Sequence, residues 1–432
     1  MANGSSSEQI ASKEAAHESS PRSRRVGQVA WPQTFAALKY PNYRLWFYGQ
    51  MVSLFGTWMQ GTAQGFLVFQ LTHSPAYLGY VGFAAGLPSW LFMLYAGVVA
   101  DRISRRTLLV ITQTCMMVLA FVIAGLTFLG LIQPWHIVVL ALILGVANAF
   151  DAPARQAFVL EMVEREDLIN AIALNSAMFN MALVVGPAMA GITYAIFGPA
   201  WCFTINGISY IAVIAALLAM RLRSQAVALG RASALADLRE GLSYVASQPL
   251  IRTLIGLLGT TALFGMCFVP LLPAWAVNVL GGDATTNGLL QSARGVGALS
   301  GALLIASLGR FRYRGRLLSF GTFAFAMMLL VFAFVRWLPL SLLTLSCVGI
   351  GQILFLNLAN SSVQTLSPDA LRGRVMSVYT LVLFGFFPIG SLLAGSFAEH
   401  FGSPLTVVLG ALVSLVVATL TWVFVPELRA LQ

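Results

Sequence analysis

A short run of charged residues separates two long apolar stretches early in the chain. Residues 97–106 read Gly-Val-Val-Ala-Asp-Arg-Ile-Ser-Arg-Arg, whereas no charged residue occurs from 45 to 100 or from 107 to 150. Arginines at such a break are expected where a membrane hairpin turns in water on the cytoplasmic side. Membrane topology accounts for the arginines but not for the acidic residue, Asp101. We therefore predict that Asp101 acts together with a basic side chain.

Polar residues recur on one face of three apolar segments. Because their spacing is i, i+3, i+7, each set lies on a single helical face. A polar face inside a membrane avoids lipid, so it turns toward a cavity or another helix. Two interpretations stay open, a substrate cavity or interhelical hydrogen bonds without a ligand. The sets are Thr57, Gln60 and Gln64; Asn148, Asp151 and Arg155; and Asn357, Asn360 and Gln364.

Two ionisable side chains fall well inside apolar runs. Asp151 is a candidate for proton coupling, with Arg155 one turn away and able to tune it; the alternative, which we favour, is a fixed structural pair. Arg294 lies roughly 12 Å below the outer end of its helix. A charge there costs at least ~2.5 kcal/mol at the helix centre. We expect Arg294 either to bind an anionic substrate group or to pair with an acid such as Asp283.

The composition places the chain among polytopic membrane proteins. It has 432 residues, of which 58% are hydrophobic and 9% charged, whereas soluble domains carry about 25% charged residues. The four histidines are scattered, and neither an HExxH nor a GxxxxGK[ST] motif occurs, which disfavours an enzyme and ATP drive. The cysteines are far apart in apolar runs and predict neither disulfides nor a metal site. The net charge of +10 follows membrane topology and does not indicate nucleic-acid binding.

The apolar runs predict an all-α protein with twelve transmembrane helices. An amphipathic helix is also predicted at 234–246. Every Lys and Arg except Arg294 and Arg336 falls on one side of this arrangement, so both termini are predicted to be cytoplasmic. The predicted spans are about 45–71, 76–100, 107–131, 137–158, 172–197, 200–220, 251–280, 286–309, 317–335, 338–366, 375–398 and 405–425.

An internal repeat divides the chain into two halves. The glycine-rich segment 186–191 corresponds to 390–395, which lies 204 positions later. Residues 41–44 likewise correspond to 249–252, 208 positions later. These two matches at nearly the same offset favour two six-helix pseudo-repeats in parallel orientation. The predicted organisation is a disordered cytoplasmic tail (1–38), an N-terminal half (39–221), a cytoplasmic linker (222–248), a C-terminal half (249–426) and a short cytoplasmic tail (427–432).

The charged segment 97–106 resembles the signature G-x-x-x-D-R-x-G-R-R of the major facilitator superfamily, with Ser104 in place of a glycine. The resemblance implies that helices 1, 4, 7 and 10 line a central cavity and that helices 2, 5, 8 and 11 pack where the halves meet. The candidate cavity residues are Thr57, Gln60, Gln64, Asn148, Arg294, Asn357, Asn360 and Gln364. Small residues that permit close helix packing are Gly186, Pro187, Gly191, Gly297, Gly301, Gly390 and Gly395.

Residues 151–158 and 372–377 are similar to a branch of bacterial exporters that includes the enterobactin exporter and macrolide efflux proteins. This resemblance implies a monomeric inner-membrane exporter of an amphipathic, siderophore- or drug-like molecule, driven by proton antiport without another cofactor. An importer or a lysolipid transporter of the same fold is the alternative. Alternating access requires an inner gate. Its predicted residues are Gly97, Asp101, Arg102, Arg105, Arg106, Arg155 and Arg374.

Overall fold

The computed structural model describes residues 35–221, 234–308 and 313–431, and all the regular elements in these ranges are helices. Twelve long helices are labelled in chain order, and the shorter linker helix, Ala234–Ser247, lies between α6 and α7. Of the predicted tail (1–38), residues 1–34 lie outside the described residues, as do linker residues 222–233, residues 309–312 and residue 432. The long helices are α1 Pro41–Thr72, α2 Pro75–Arg102, α3 Arg105–Phe128, α4 Pro134–Val159, α5 Leu168–Phe197, α6 Pro199–Ala219, α7 Pro249–Asn278, α8 Ala284–Leu308, α9 Arg314–Phe334, α10 Leu338–Leu366, α11 Arg372–Phe401 and α12 Ser403–Phe424.

Proline begins several of these helices. Pro41, Pro75, Pro134, Pro199 and Pro249 each occupy the first helical position. Proline suits this position because its missing N–H group would have no partner there and its φ angle is already helical. The predicted helices begin one to four residues later than the observed ones, because hydrophobicity alone does not include the first helical turn that starts at each proline.

Helix α7 is interrupted, although the sequence predicts one continuous span there. Its first part, Pro249–Thr260, leads into a π-helical turn, Thr261–Gly265, and Phe268–Asn278 completes it. The wide turn is closed by the Met266 N–H, which donates to the Thr261 carbonyl at 2.8 Å. Prolines at 270 and 273 lack an N–H group, so they weaken the regular ladder just beyond the turn.

Ten helices in the described residues, α3 to α12, are long and apolar enough to cross a membrane. The predicted class, an all-helical polytopic membrane protein, is therefore confirmed. Helix α1 has 32 residues and α2 has 28, so both also exceed the roughly 20 residues that a bilayer requires. The buried polar side chains of α1, among them Gln50, Gln60 and Gln64, lower its hydrophobicity.

The helices on either side of the linker form two similar units, and each has its own apolar core. In the N-terminal half Trp46 packs edge-on against Phe158, with ring centroids 5.4 Å apart. In the C-terminal half Trp275 stacks on Phe332 at 4.5 Å. The connections α5–α6 and α11–α12 both turn at a single glycine with positive φ, 87° at Gly198 and 84° at Gly402. Side-chain-bearing residues rarely adopt this conformation, and the pair has the predicted 204-residue offset.

The two halves meet along α2 and α11 and along α5 and α8. In the contact between α2 and α11, glycines without side chains allow a close approach. Gly79 packs on the backbone of Gly395, and Gly86 lies against Pro388. In the second contact, a Cβ added at Gly288 would collide with the Pro187 carbonyl of α5. These approaches lie toward the far end of the bundle, which is defined by the connections 73–74 and 279–283.

At the other end, called the linker end because it carries the helix Ala234–Ser247, side chains along α5 and α8 are exposed. The α8-facing stripe of α5 continues to Ser176 and Ala177, and both residues are exposed. On α8, Leu303 is 62% exposed. The halves thus contact each other at the far end, whereas the contact between α5 and α8 is open at the linker end.

Candidate functional site

The predicted gate residues lie at the linker end, and their described contacts stay within one half. Arg105 binds Glu161 at 2.5 Å, and Arg106 donates to the Leu218 carbonyl at 2.8 Å. Arg102 is exposed, and a Cβ at Gly97 would meet open space. The side chain of Asp101 lies outside the described residues. In this open state the charges brace the N-terminal half.

Arg374, a predicted gate residue, contacts the linker helix in this state. Its Nε lies 2.8 Å from Asp237 and its Nη1 lies 2.6 Å from Glu240, both in the linker helix. Gly241 of the linker helix also lies close to the backbone carbonyl of Arg374. The linker helix is therefore attached to α11, since a basic side chain at the start of α11 meets an acidic helix face.

A further ion pair at the linker end fixes the entrance to α5. Lys39 contacts Asp167 at 2.6 Å, and the Tyr40 hydroxyl donates to the same carboxylate at 2.8 Å. The ammonium and the hydroxyl stabilise the ionised carboxylate, so they lower the pKa of Asp167, and the carboxylate in turn raises the pKa of Lys39. This contact joins the start of the N-terminal half to α5.

The Asp151 carboxylate is buried, and three donors surround it. Arg155 donates to Oδ2 at 2.6 Å, and Thr112 and Gln113 of α3 donate to Oδ1 at 2.9 and 2.8 Å. None of its side chain is exposed. The i, i+4 pair expected from the sequence is present, and α3 supplies the additional donors that a buried carboxylate requires. This arrangement holds α4 against α3.

The polar face of α1 contacts another helix of its own half. Asn206 of α6 donates to the Gln60 side chain at 2.6 Å. The hydroxyls of Thr57 and of Tyr210, also in α6, are 3.4 Å apart, and Gln64 is buried. Thr57 and Gln60 therefore show the interhelical alternative, because α6 packs closely against Gly49 and Gly56 of α1.

The predicted cavity residues of α4 and α10 have local contacts. Asn357 lines a separate cavity of about 110 Å³ between α8, α9 and α10. Gln364 donates to Asn360 at 2.6 Å within α10, and Asn148 is half-buried on α4. None of these contacts joins the polar faces of α4 and α10 to that of α1.

The predicted packing residues divide between two kinds of contact. Gly191, Pro187 and Gly395 lie where the halves meet. The others pack within one half. Gly186 contacts α1, Gly297 and Gly301 contact α10, and Gly390 contacts α7. For α8 the half-to-half contact uses another face, which carries Gly288, Ser292 and Gly295.

Arg294 is buried near the middle of α8, on a polar face that the sequence analysis did not identify. This face also carries Asn287 and Gln291, at i, i+4, i+7 spacing. Gln291 donates to Asn287 at 3.3 Å and accepts from Thr62 of α1, also at 3.3 Å. The hydrogen bond to Thr62 joins the two halves, so this polar face lies beside the contact between them.

Two donors on this face have no partner among the described residues, Arg294 Nε and Asn287 Nδ2. The guanidinium of Arg294 also makes no ion pair in that part of the chain. Asp283, the anticipated partner, instead accepts from the backbone and hydroxyl of Thr286 at the start of α8. A buried donor left unpaired costs about 1–3 kcal/mol, more when it is charged.

A carboxylate of the C-terminal half reaches across to the N-terminal half at the far end. Glu399 of α11 accepts from the Ser74 hydroxyl at 2.6 Å and from the Ala76 N–H at 3.1 Å. Its negative charge lies at the start of α2, where the helix dipole favours it. A cavity of about 410 Å³ lies nearby, between α1, α5, α7 and α8, with His73 and Asp283 on its wall. Sequence patterns did not identify Glu399, because Ser74 is 325 positions away.

This geometry, two six-helix units with a buried cation beside their contact, can be compared with known proteins. The model of the transmembrane secretion effector family matches residues 32–432. The chain belongs to this family of major facilitator superfamily transporters. It is a membrane transporter, not an enzyme.

Relatives and a solved structure agree with this membership. The multidrug efflux pump Tap of Mycolicibacterium fortuitum is 28% identical, over 85% of this chain and 91% of the relative. The enterobactin exporter EntS of Citrobacter koseri is 26% identical, over 94% of this chain and 97% of the relative. The crystal structure of the nucleoside transporter NupG matches 89% of this chain and 98% of that chain, with a TM-score of 0.69 at 16% identity. NupG therefore shows the shared fold alone.

Proposed function

We propose that this transporter exports an amphipathic, siderophore- or drug-like small molecule by alternating access, driven by proton antiport. The observation that carries the proposal is that α5 and α8, one from each half, pack together toward the far end and are exposed toward the linker end, beside a buried arginine. Such a bundle exposes its centre to one side of a membrane at a time. The names of the relatives, an efflux pump and an enterobactin exporter, favour the outward direction.

The proposed topology has twelve membrane spans in a bacterial inner membrane, with both termini in the cytoplasm and the protein acting as a monomer. It is supported by the arginines and lysines at the linker end, because positive residues collect on the cytoplasmic side. The open side of the structure then faces the cytoplasm, from which an exporter loads its substrate. Cysteine-labelling from each side of the membrane tests this orientation.

We propose that the charged segment 97–106 locks the linker end when the bundle opens to the outside. Asp101 would then contact Arg155 or the start of α11 near Arg374, and both of these arginines are engaged elsewhere in the present state. Asp101→Asn is expected to abolish transport without preventing membrane insertion, whereas Asp101→Glu retains part of it. Normal transport by Asp101→Asn at equal membrane abundance would contradict the lock.

The decisive experiment compares small molecules in the medium of deletion and overexpressing cells, with and without a protonophore. An exporter driven by protons should enrich one class of compound in the medium only when the gradient is intact. Inverted vesicles with an imposed pH gradient then test direction. Uptake into such vesicles supports export, and uptake into right-side-out vesicles supports the importing alternative.

A further inference from the structure

The strongest unexplained feature of the molecule is the cation of Arg294. Its residue is 8% exposed, and its Nε has no hydrogen-bond partner among the described residues. An arginine side chain stays protonated in proteins. The charge therefore persists in the core, and no carboxylate in the described ranges lies within ion-pair distance of it.

The neighbouring amides add donors but leave no acceptor for this cation. Asn287 is fully buried, and its Nδ2 also lacks a partner. Its oxygen is occupied by Gln291, and the oxygen of Gln291 is occupied by Thr62. The α8 face consequently presents unmatched N–H groups and a positive charge, while each of its amide oxygens already accepts one hydrogen bond. Unmatched donors beside a cation are chemically suited to an oxyanion.

Other buried charges in the protein are arranged differently. The guanidinium of Arg155 has its carboxylate one turn away, and that carboxylate has two further donors. A structural arginine of this kind carries its partner in the same chain. Arg294 lacks such a partner, although it lies deeper than Arg155, whose side chain is 23% exposed.

We propose that Arg294, with the side-chain amides of Asn287 and Gln291, binds a negatively charged oxygen group of the transported molecule, a carboxylate or a phosphate. The proposal rests on the proposed transport function and defines its substrate class as anionic. A planar guanidinium matches two oxygens of such a group at once. Gln291 also holds the hydrogen bond to Thr62, so a ligand on this face lies directly beside the contact between the halves.

The test uses full-length protein in lipid nanodiscs and four probes that share one apolar group. Phenylbutyrate and phenylbutyl phosphate carry the two oxyanions, whereas phenylbutanol is neutral and phenylbutylamine is cationic. Binding is measured by titration with a thermal-shift readout. Wild-type protein should be stabilised by an oxyanion probe more than by the other two, and the two anionic probes distinguish a carboxylate from a phosphate. An equal response to all four, or none to either anion, overturns the proposal.

Variants then assign the effect to Arg294. Arg294→Gln is expected to weaken binding of the anionic probe by about 10- to 100-fold, since one charge-assisted interaction is lost, and Arg294→Lys by less. Without ligand, Arg294→Gln should be at least as stable as the wild type, because it removes an unpaired charge. Arg155→Gln is the matched control and should lose stability. If Arg294→Gln without ligand loses as much stability as Arg155→Gln, Arg294 has a structural role and the proposal is refuted.

Failure of the inference is distinguishable from failure of the transport proposal. If the deletion strain accumulates a neutral or cationic compound, transport stands and the anionic substrate class falls. If the anionic probes bind through Arg294 but no compound moves across the membrane, the site stands and the export proposal falls.

Discussion

The ion pair between Asp151 and Arg155 allows its structural role to be tested quantitatively. Removing one partner of a fully buried pair costs about 3–5 kcal/mol, because an uncompensated charge remains. Arg155 is partly exposed, and Thr112 and Gln113 keep donating to the carboxylate, so we expect Arg155→Gln to cost about 2–3 kcal/mol. Asp151→Asn keeps an acceptor for both of those donors and should cost about 1 kcal/mol.

The two substitutions should not be additive. In the double variant Asp151→Asn/Arg155→Gln no charge is left buried, so its stability should match that of Asp151→Asn, about 1–2 kcal/mol above Arg155→Gln. Thermal unfolding of the purified variants in one detergent gives this order, and transport is compared at equal membrane abundance. If Arg155→Gln is as stable as the wild type while Asp151→Asn abolishes transport, Asp151 carries protons and the structural reasoning is wrong.

Three other contacts give further predictions. Glu399→Gln should weaken closure of the far end by about 2–5-fold, because an exposed charged contact contributes little more; spin labels on the α1–α2 and α11–α12 connections measure the distance distribution. Arg374→Gln should release the linker helix from α11 and raise protease cleavage of the linker about 2–5-fold. The contact of Lys39 with Asp167 should contribute constant stability between about pH 5 and 9. It should be lost as pH falls below the ordinary pKa of an aspartate, because the folded-state pKa of Asp167 is lowered, and lost again above the raised pKa of Lys39.

Each of these predictions has an internal control. Arg372→Gln removes an arginine at the start of α11 that binds Asp369 in the preceding loop, so cleavage of the linker should not change. Asp167→Asn should remove the acid-dependent part of the stability difference. For the far end, an unchanged distance distribution in Glu399→Gln would show that the glycine contacts alone hold it closed.

The sequence predicts the helices well because each is a long apolar run bounded by turn residues. It also predicts the pairing of Asp151 with Arg155, since one helical turn separates them. Which helix a polar face meets is not predictable in this way. Gln60 contacts Asn206 of α6, 146 positions away, and the alternation of polar and apolar residues on α1 is the same whether a cavity or a helix lies opposite.

Helix α8 shows the same limit for packing. Glycines occur on two of its faces, so small-residue spacing predicts close contacts without indicating the partner. Gly297 meets α10 and Gly288 meets α5. The polar stripe of Asn287, Gln291 and Arg294 was visible in the sequence as an i, i+4, i+7 pattern. The charge of Arg294 alone does not predict this stripe.

The glycine contact between α2 and α11 has a consequence for the energy of switching. Where Gly79 meets Gly395 and Gly86 meets Pro388, few side chains interlock across the boundary. Little apolar area is then newly wetted when the helices part, and few rotamers must change. A carrier needs two conformations separated by only a few kcal/mol. A contact made by glycines, with few interlocking side chains, keeps the free-energy difference between them small. Bulk added at Gly79 would make this surface rough, so it should slow the cycle even though it touches no substrate.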